Sequence, residues 1–80
     1  SILNFSVYPN PASDQLTIQG DFESDKISVE LTDTTGKLIV KKKLRNGKNL
    51  DLPSLSNGLY VLKINDGNKS AIKKVIIQQN

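Results

Sequence analysis

The chain predicts an all-β fold, either a two-layered antiparallel sandwich or a small barrel, and three observations predict it. Apolar residues recur with a period of two almost throughout, no segment carries a helical stripe, and turn signals punctuate the chain at the regular spacing of such folds. Counting the alternating pieces gives about seven strands. Of the two architectures, the sandwich answers the packing problem more directly, because each amphipathic sheet hides its apolar face against the other.

Phe5-Ser6-Val7-Tyr8 reads as a short strand that runs into a Pro9-Asn10-Pro11 corner before Ala12, and the chain re-emerges as the strand Gln15–Gly20. Pro9 and Pro11 hold φ near about −65°, remove their backbone donors and restrict the residue before each. The corner is therefore a preorganised shape that needs little ordering entropy to be recognised. It is also expected to carry the first strand across to the other sheet, with Tyr8 packed beneath. Leu16 and Ile18 alternate with Thr17 and Gln19, and Ile27, Val29 and Leu31 alternate with Ser28, Glu30 and Thr32. Each of these strands thus has one apolar and one wet side.

Asp33-Thr34-Thr35-Gly36 should close a tight turn, with the Asp33 carboxylate accepting backbone N–H groups and Gly36 taking positive φ. Arg45-Asn46-Gly47-Lys48 reads, from its Asn-Gly pair, as a hairpin between Leu38–Leu44 and Lys48–Leu52. Leu52-Pro53-Ser54-Leu55-Ser56-Asn57-Gly58 suits a looping crossover that plugs Leu55 into one end of the core, and Gly58 lets the backbone turn before Tyr60 packs inward. Tyr60, Leu62 and Ile64 make another apolar face, opposite Val61, Lys63 and Asn65. Asp66-Gly67-Asn68 then joins Leu59–Asn65 to a last strand, Ser70–Gln78. That strand is partly apolar on both faces, with Ala71, Lys73, Val75 and Ile77 on one and Ile72, Lys74 and Ile76 on the other. It suits a central position, an edge that covers something, or a tail that a partner grasps.

Eighty residues suffice for one domain, and a chain this short buries only about 60–65% of the surface its unfolded form exposes. With two Phe, two Tyr and no Trp, the core rests on Leu, Ile and Val, anchored by Phe5, Tyr8, Phe22 and Tyr60. The absence of cysteine removes disulfides and thiolate metal sites, and the absence of histidine removes the commonest general base and metal ligand. No run reaches the roughly eighteen apolar residues of a transmembrane segment, and Ser1-Ile2-Leu3-Asn4 lacks the character of a secretory signal. Without an initiating methionine, the chain is expected to be a fragment or a processed product, such as a domain cut from a longer protein. Eleven basic against eight acidic side chains leave a formal charge of +3, with clusters at Lys41, Lys42, Lys43, Arg45 and Lys48 and at Lys69, Lys73 and Lys74. These read first as a solvated strand face, and second as a bias toward an acidic partner or an anionic glycolipid surface.

Catalysis has little to work with. Asp14, Asp21, Glu23, Asp25, Glu30, Asp33, Asp51 and Asp66 fall chiefly at turns or outward strand positions, and nothing in the alternation forces a pair into one cavity. Serine is plentiful, yet no histidine or Gly-x-Ser-x-Gly elbow accompanies it. Neither an enzyme nor a cofactor is expected. Asp21, Glu23 and Asp25 offer carboxylates suited to calcium, but their spacing lacks a constrained loop, and an exposed acidic connection with Phe22 folded onto the core is the better reading. Nucleic-acid modules set exposed aromatic platforms beside positive charge; here the aromatics are scattered away from Lys41–Lys43, so no nucleic-acid partner is expected. The glycosylation triplets Asn4-Phe5-Ser6 and Asn68-Lys69-Ser70 carry almost no weight. On these residues the chain is either a module that acts by being recognised or a spacer, adhesion or carbohydrate-binding domain.

Four pieces in order, Tyr8-Pro9-Asn10-Pro11, Asp33-Thr34-Thr35-Gly36-Lys37, Leu55-Ser56-Asn57-Gly58-Leu59-Tyr60 and Lys73-Lys74-Val75-Ile76-Ile77, add a resemblance. Together they resemble the type A C-terminal sorting domain of the Bacteroidetes type IX (Por) secretion system, over a likeness that runs from Phe5 to Gln78. The resemblance implies an immunoglobulin-like antiparallel β-sandwich of about seven strands, with residues 1–80 forming a single C-terminal sorting domain. It further implies a non-catalytic signal that directs its cargo, already in the periplasm, through the outer-membrane translocon and its shuttle proteins. A sortase-like peptidase would then remove the domain, and the cargo would be either joined to anionic lipopolysaccharide at the cell surface or released outside the cell.

Carried over by position, Tyr8, Pro9, Asn10 and Pro11 match the family's opening motif, Asp33, Gly36 and Lys37 its middle turn, and Gly58 and Tyr60 its late glycine–tyrosine element. Lys74, Val75, Ile76 and Ile77, with Lys73 ahead of them, match the terminal strand on which export depends. Gln78-Gln79-Asn80 departs from the family, many of whose members stop at or near a basic residue.

Overall fold

The alternating segments become strands. The computed structural model describes residues 4–79; Ser1, Ile2 and Leu3, which begin the stretch without signal character, and the trailing Asn80 lie outside the described residues. The strands are β1 (Phe5–Tyr8), β2 (Gln15–Gly20), β3 (Lys26–Asp33), β4 (Leu38–Arg45), β5 (Asn49–Asp51), β6 (Gly58–Asn65) and β7 (Ser70–Ile77). They form two antiparallel sheets, one in the order β1-β2-β5 and the other in the order β4-β3-β6-β7. Period-two alternation turns Leu16, Ile18 and Leu50 of the small sheet toward Ile27, Val29, Leu31, Leu62 and Ile64 of the large one, and all eight are fully buried. Each such side chain contributes about 1.5–3 kcal/mol relative to exposure, so this shared interior holds the two layers of the sandwich together. Phe22 and Leu55 pack partly buried against it, as their places in the loops suggested.

One connection differs from its expectation. Arg45-Asn46-Gly47-Lys48 is a tight turn, with Lys48 N–H donating to Arg45 O at 3.1 Å and Gly47 at φ 81°. It does not, however, make a hairpin: β4 pairs with β3, whereas β5 pairs with β2. The cause is Asn46, whose amide donates to Gly20 O at 2.8 Å and accepts from Gly20 N–H at 3.0 Å. Gly47 N–H adds a bond to Ile18 O at 2.9 Å. These bonds draw the chain off the large sheet and onto the edge of β2.

The β6–β7 hairpin hides an acid that its turn position did not reveal as buried. Asp66 is 2% exposed. One carboxylate oxygen, Oδ1, accepts from Asn68 N–H at 2.9 Å and Lys69 N–H at 2.7 Å, while Oδ2 accepts from Glu23 N–H at 3.2 Å. The Lys69 amide is the chief reason, ahead of those of Asn68 and Glu23, that its carboxyl titrates below the ordinary range. The resulting stabilisation is fully present above the unfolded carboxylate pKa of about 4 and is lost as pH falls through the lowered folded value. Asp66→Asn keeps Oδ1 but sets an amide nitrogen, which cannot accept, toward Glu23. It is expected to lower the melting temperature by several degrees at neutral pH, with the gap to wild type closing in acid. Superimposable melting curves at neutral pH would contradict this.

Candidate functional site

The register brings together motifs that the sequence keeps far apart. β3 ends at Asp33, β6 begins at Gly58 and β7 ends at Ile77; Asp33 lies opposite Tyr60, Tyr60 opposite Val75, and Gly58 opposite Ile77. The middle turn, the glycine–tyrosine element and the end of the terminal strand therefore share one end of the large sheet. The proline corner docks on the same end. Ala12 N–H donates to Ile76 O at 2.8 Å, Gln78 N–H donates to Ala12 O at 2.8 Å, and Ile76 N–H donates to Asn10 Oδ1 at 3.0 Å. Ala12 and Ile77 thereby form an isolated parallel bridge that ties the corner to the edge of the large sheet. The corner does not carry the chain into that sheet as expected, because the strands it joins, β1 and β2, pair with each other in the small one. The peptide bonds before Pro9 and Pro11 are both cis.

Several of these residues build the site's shape. Asp33 Oδ1 accepts from Thr35 N–H at 2.9 Å, Thr35 Oγ1 at 2.6 Å and Lys37 N–H at 3.0 Å. The Thr35 hydroxyl first, and then the Lys37 amide, hold the Asp33 carboxyl below its usual range. Gly36 closes the turn at φ 91°, a conformation costly for a residue with a Cβ, and Lys37 is left exposed. Gly58 enters β6 at φ 152°. Tyr60 is buried, and its hydroxyl donates to Ser56 O at 2.7 Å, which ties the crossover loop to β6.

Tyr8 is a correction. Expected as a core anchor beneath the corner, it is 45% exposed, and its hydroxyl donates to Gln19 Oε1 at 3.0 Å. Phe5 and Val7 take the inward phase of β1, so Tyr8 falls with Ser6 on the outer face.

The terminal strand resolves as an edge, paired with β6 along its whole length. Val75 and Ile77 point inward and are buried, while Ile72 and Ile76 are 66% and 47% exposed on the outer face beside Lys74. Lys73 lies on the other side, its Nζ 4.9 Å from the centre of the Phe5 ring. Sequence reasoning missed Gln79. Its Oε1 accepts from Leu55 N–H at 2.7 Å, its Nε2 donates to Ser13 O at 2.8 Å and Pro53 O at 2.9 Å, and its N–H donates to Asn57 Oδ1 at 2.6 Å. An amide that donates and accepts at once suits this clasp, and the one signal for it was the polar pair Gln78-Gln79 that follows an apolar strand. The acids, by contrast, do not gather: among the described residues no three carboxylates meet as a metal site, and Glu23 is engaged by Asn68 and Lys69.

The domain is thus two antiparallel sheets with its distinctive residues gathered at one hydrogen-bonded end. The family model described as the secretion system C-terminal sorting domain matches residues 6–78. The chain belongs to that family and is a non-catalytic sorting domain of type IX secretion. Among solved structures it is similar to dimeric latent PorU from Porphyromonas gingivalis, with a TM-score of 0.60 and 20% identity. The match covers 99% of this chain but 9% of the PorU chain, so the likeness concerns the fold. No curated protein matches in sequence.

Proposed function

We propose that this chain is a single type A sorting domain closing a larger exported protein, and that the outer-membrane translocon and its shuttle proteins read the corner and the terminal strand as one surface. The observation that carries this reading is the junction of Asn10 and Ala12 with Ile76 and Gln78, which makes one epitope of two distant motifs. Tyr8, Pro9, Asn10, Lys74 and Ile76 are its exposed contacts. Asp33, Gly36, Gly58, Tyr60, Val75 and Ile77 hold it in shape, with Lys37 exposed at the neighbouring turn and Lys73 on the flank. An immunoglobulin-like topology is supported by the sheet orders, which correspond to strands A-B-E and C′-C-F-G of such domains, and by the Tyr60–Ser56 bond at the corner entering the sixth strand. On this reading the cargo passes through the periplasm, and a sortase-like peptidase then removes the domain as the cargo is attached to anionic lipopolysaccharide or released.

Export of a periplasmic reporter fused to this domain, in a host with the secretion system, tests the proposal. Deleting residues 74–80 is expected to reduce export to background; undiminished export would overturn the reading. Because that deletion also strips Val75 and Ile77 from the core, the exposed pair Tyr8→Ala and Lys74→Ala, which leaves the Asn10–Ile76 bond intact, provides the second test. It is expected to impair export while leaving the melting temperature nearly unchanged. A passive spacer would tolerate both changes.

A further inference from the structure

Two long edges flank the large sheet, and they are built differently. The β4 edge carries Lys41, Lys42, Lys43 and Arg45, the dense charge with which sheets discourage further pairing. The β7 edge carries Ile72, and its backbone is divided. Ile76 gives its N–H to Asn10 and its C=O to Ala12, so both groups point away from β6. Backbone direction alternates along an antiparallel ladder, which turns the N–H and C=O of Ile72 and Lys74 to the same free side. Among the described residues none takes up these groups. The proline corner therefore staples the end of the edge, around Ile76–Gln78, and leaves Ser70–Lys74 open.

Beside the open stretch the outer face is apolar with a basic margin. Ile72 lies opposite Lys63, Lys74 opposite Val61, and Ile76 opposite Leu59, which is 42% exposed. β6 and β7 contain Lys63, Lys73 and Lys74 and no acidic residue. With Lys73 turned over the Phe5 ring, Lys74 is left to face a partner at the edge, and Lys63, one strand further in between Ile72 and Glu30, adds its charge to the same face.

We propose that the open β7 edge from Ser70 to Lys74 docks one extended segment of another protein, rich in acidic and apolar residues, as a fifth strand of this sheet. The inference rests on the reading of β7 as a recognised strand and adds the chemistry of what reads it. Backbone pairing supplies affinity, and alternate side chains supply selection. The segment's carboxylates meet Lys74 and Lys63 on the outer face, and its apolar groups cover Ile72. A second copy is a poor occupant, because two β7 edges bring lysines together with no acid on either strand. The staple also limits register, since a partner strand running past Lys74 meets the corner.

Amide NMR of the isotope-labelled domain, titrated with a capped peptide of valine and glutamate, tests the edge directly. Shifts are expected to concentrate on Ser70–Lys74 and to be absent when lysine replaces glutamate in the peptide. Ile72→Pro removes an outward N–H that the sheet itself does not use, so it is expected to abolish the shifts in a folded domain. Lys63→Glu with Lys74→Glu, both exposed, is expected to reverse the preference between the two peptides. The proposal is overturned by an absence of shifts, by shifts on β4 or by equal response to both peptides. Concentration-dependent shifts on β7 without peptide would overturn it in favour of a second copy. The export assay reports on the sorting reading and the titration on the edge, so either can fail without the other.

Discussion

Replacing Ile77 with alanine is expected to cost about 2–5 kcal/mol of folding stability, whereas the same change at Ile76 should cost about 1 kcal/mol or less. The two residues are adjacent on one strand, and alternation alone separates them. Ile77 is fully buried, opposite Gly58 and bridged to Ala12. Gly58 has no side chain to lean into the space left behind, so most of the cavity should persist. Domains of this size are stable by only about 0.05–0.15 kcal/mol per residue, so the loss is a large share of the total. It should appear as a fall of about 10–30 °C in melting temperature, with a matching shift in the urea midpoint. Ile76→Ala should move the transition by about 8 °C at most while still changing the exposed surface of the terminal strand. Equal destabilisation by the two variants would show that β7 is not seated with Ile77 inward, and the shared epitope with the corner would then lose its geometry.

How much of this was legible in the sequence follows from how local each signal is. The inward positions Leu16, Ile18, Ile27, Val29, Leu31, Leu62 and Ile64 were readable, because period two is set within a strand and all of them are buried. Asp33 and Gly36 were readable for the same reason: their bonds close within one turn. Asn46-Gly47 shows the limit. Its turn geometry is local, but the sheet joined by the next strand depends on the bonds from Asn46 to Gly20, which are 26 positions apart. The candidate site lies beyond that limit altogether. Its residues were named one motif at a time, whereas their convergence requires the registers of β3 with β6 and β6 with β7 and the bridge from Ala12 to Ile77. Tyr8 shows the opposite case, where a local signal outweighs a plausible tertiary one: the alternation of Phe5 and Val7 turns it outward, whatever the proline corner beyond it suggests.

Gly20→Val is expected to be the other severe change. A single glycine in a strand often marks a close backbone approach, and here the approaching chain is β1. A Cβ on Gly20 would stand 2.5 Å from Phe5 Cβ and 2.7 Å from Phe5 Cα, with the Asn4 carbonyl oxygen also in the way. Two of these three obstacles are backbone atoms, so a rotamer change gives no relief and β1 must shift as a whole. Overpacking of this kind costs about 1–3 kcal/mol, and the backbone contacts place Gly20→Val at the upper end of that range. The damage should spread, because Gly20 holds Asn46 at the corner between the sheets and Phe5 packs against both Phe22, at 6.5 Å between ring centroids, and Lys73. Gly36→Ala is a useful comparison: its Cβ meets nothing within 4 Å, so only the φ of 91° opposes it, a cost of about 1–2 kcal/mol. Calorimetry should rank Gly20→Val below Gly36→Ala, and amide exchange should show β1 released first in the Gly20 variant. If exchange in β1 were unchanged, the close approach of the two strands would not be what requires glycine at this position.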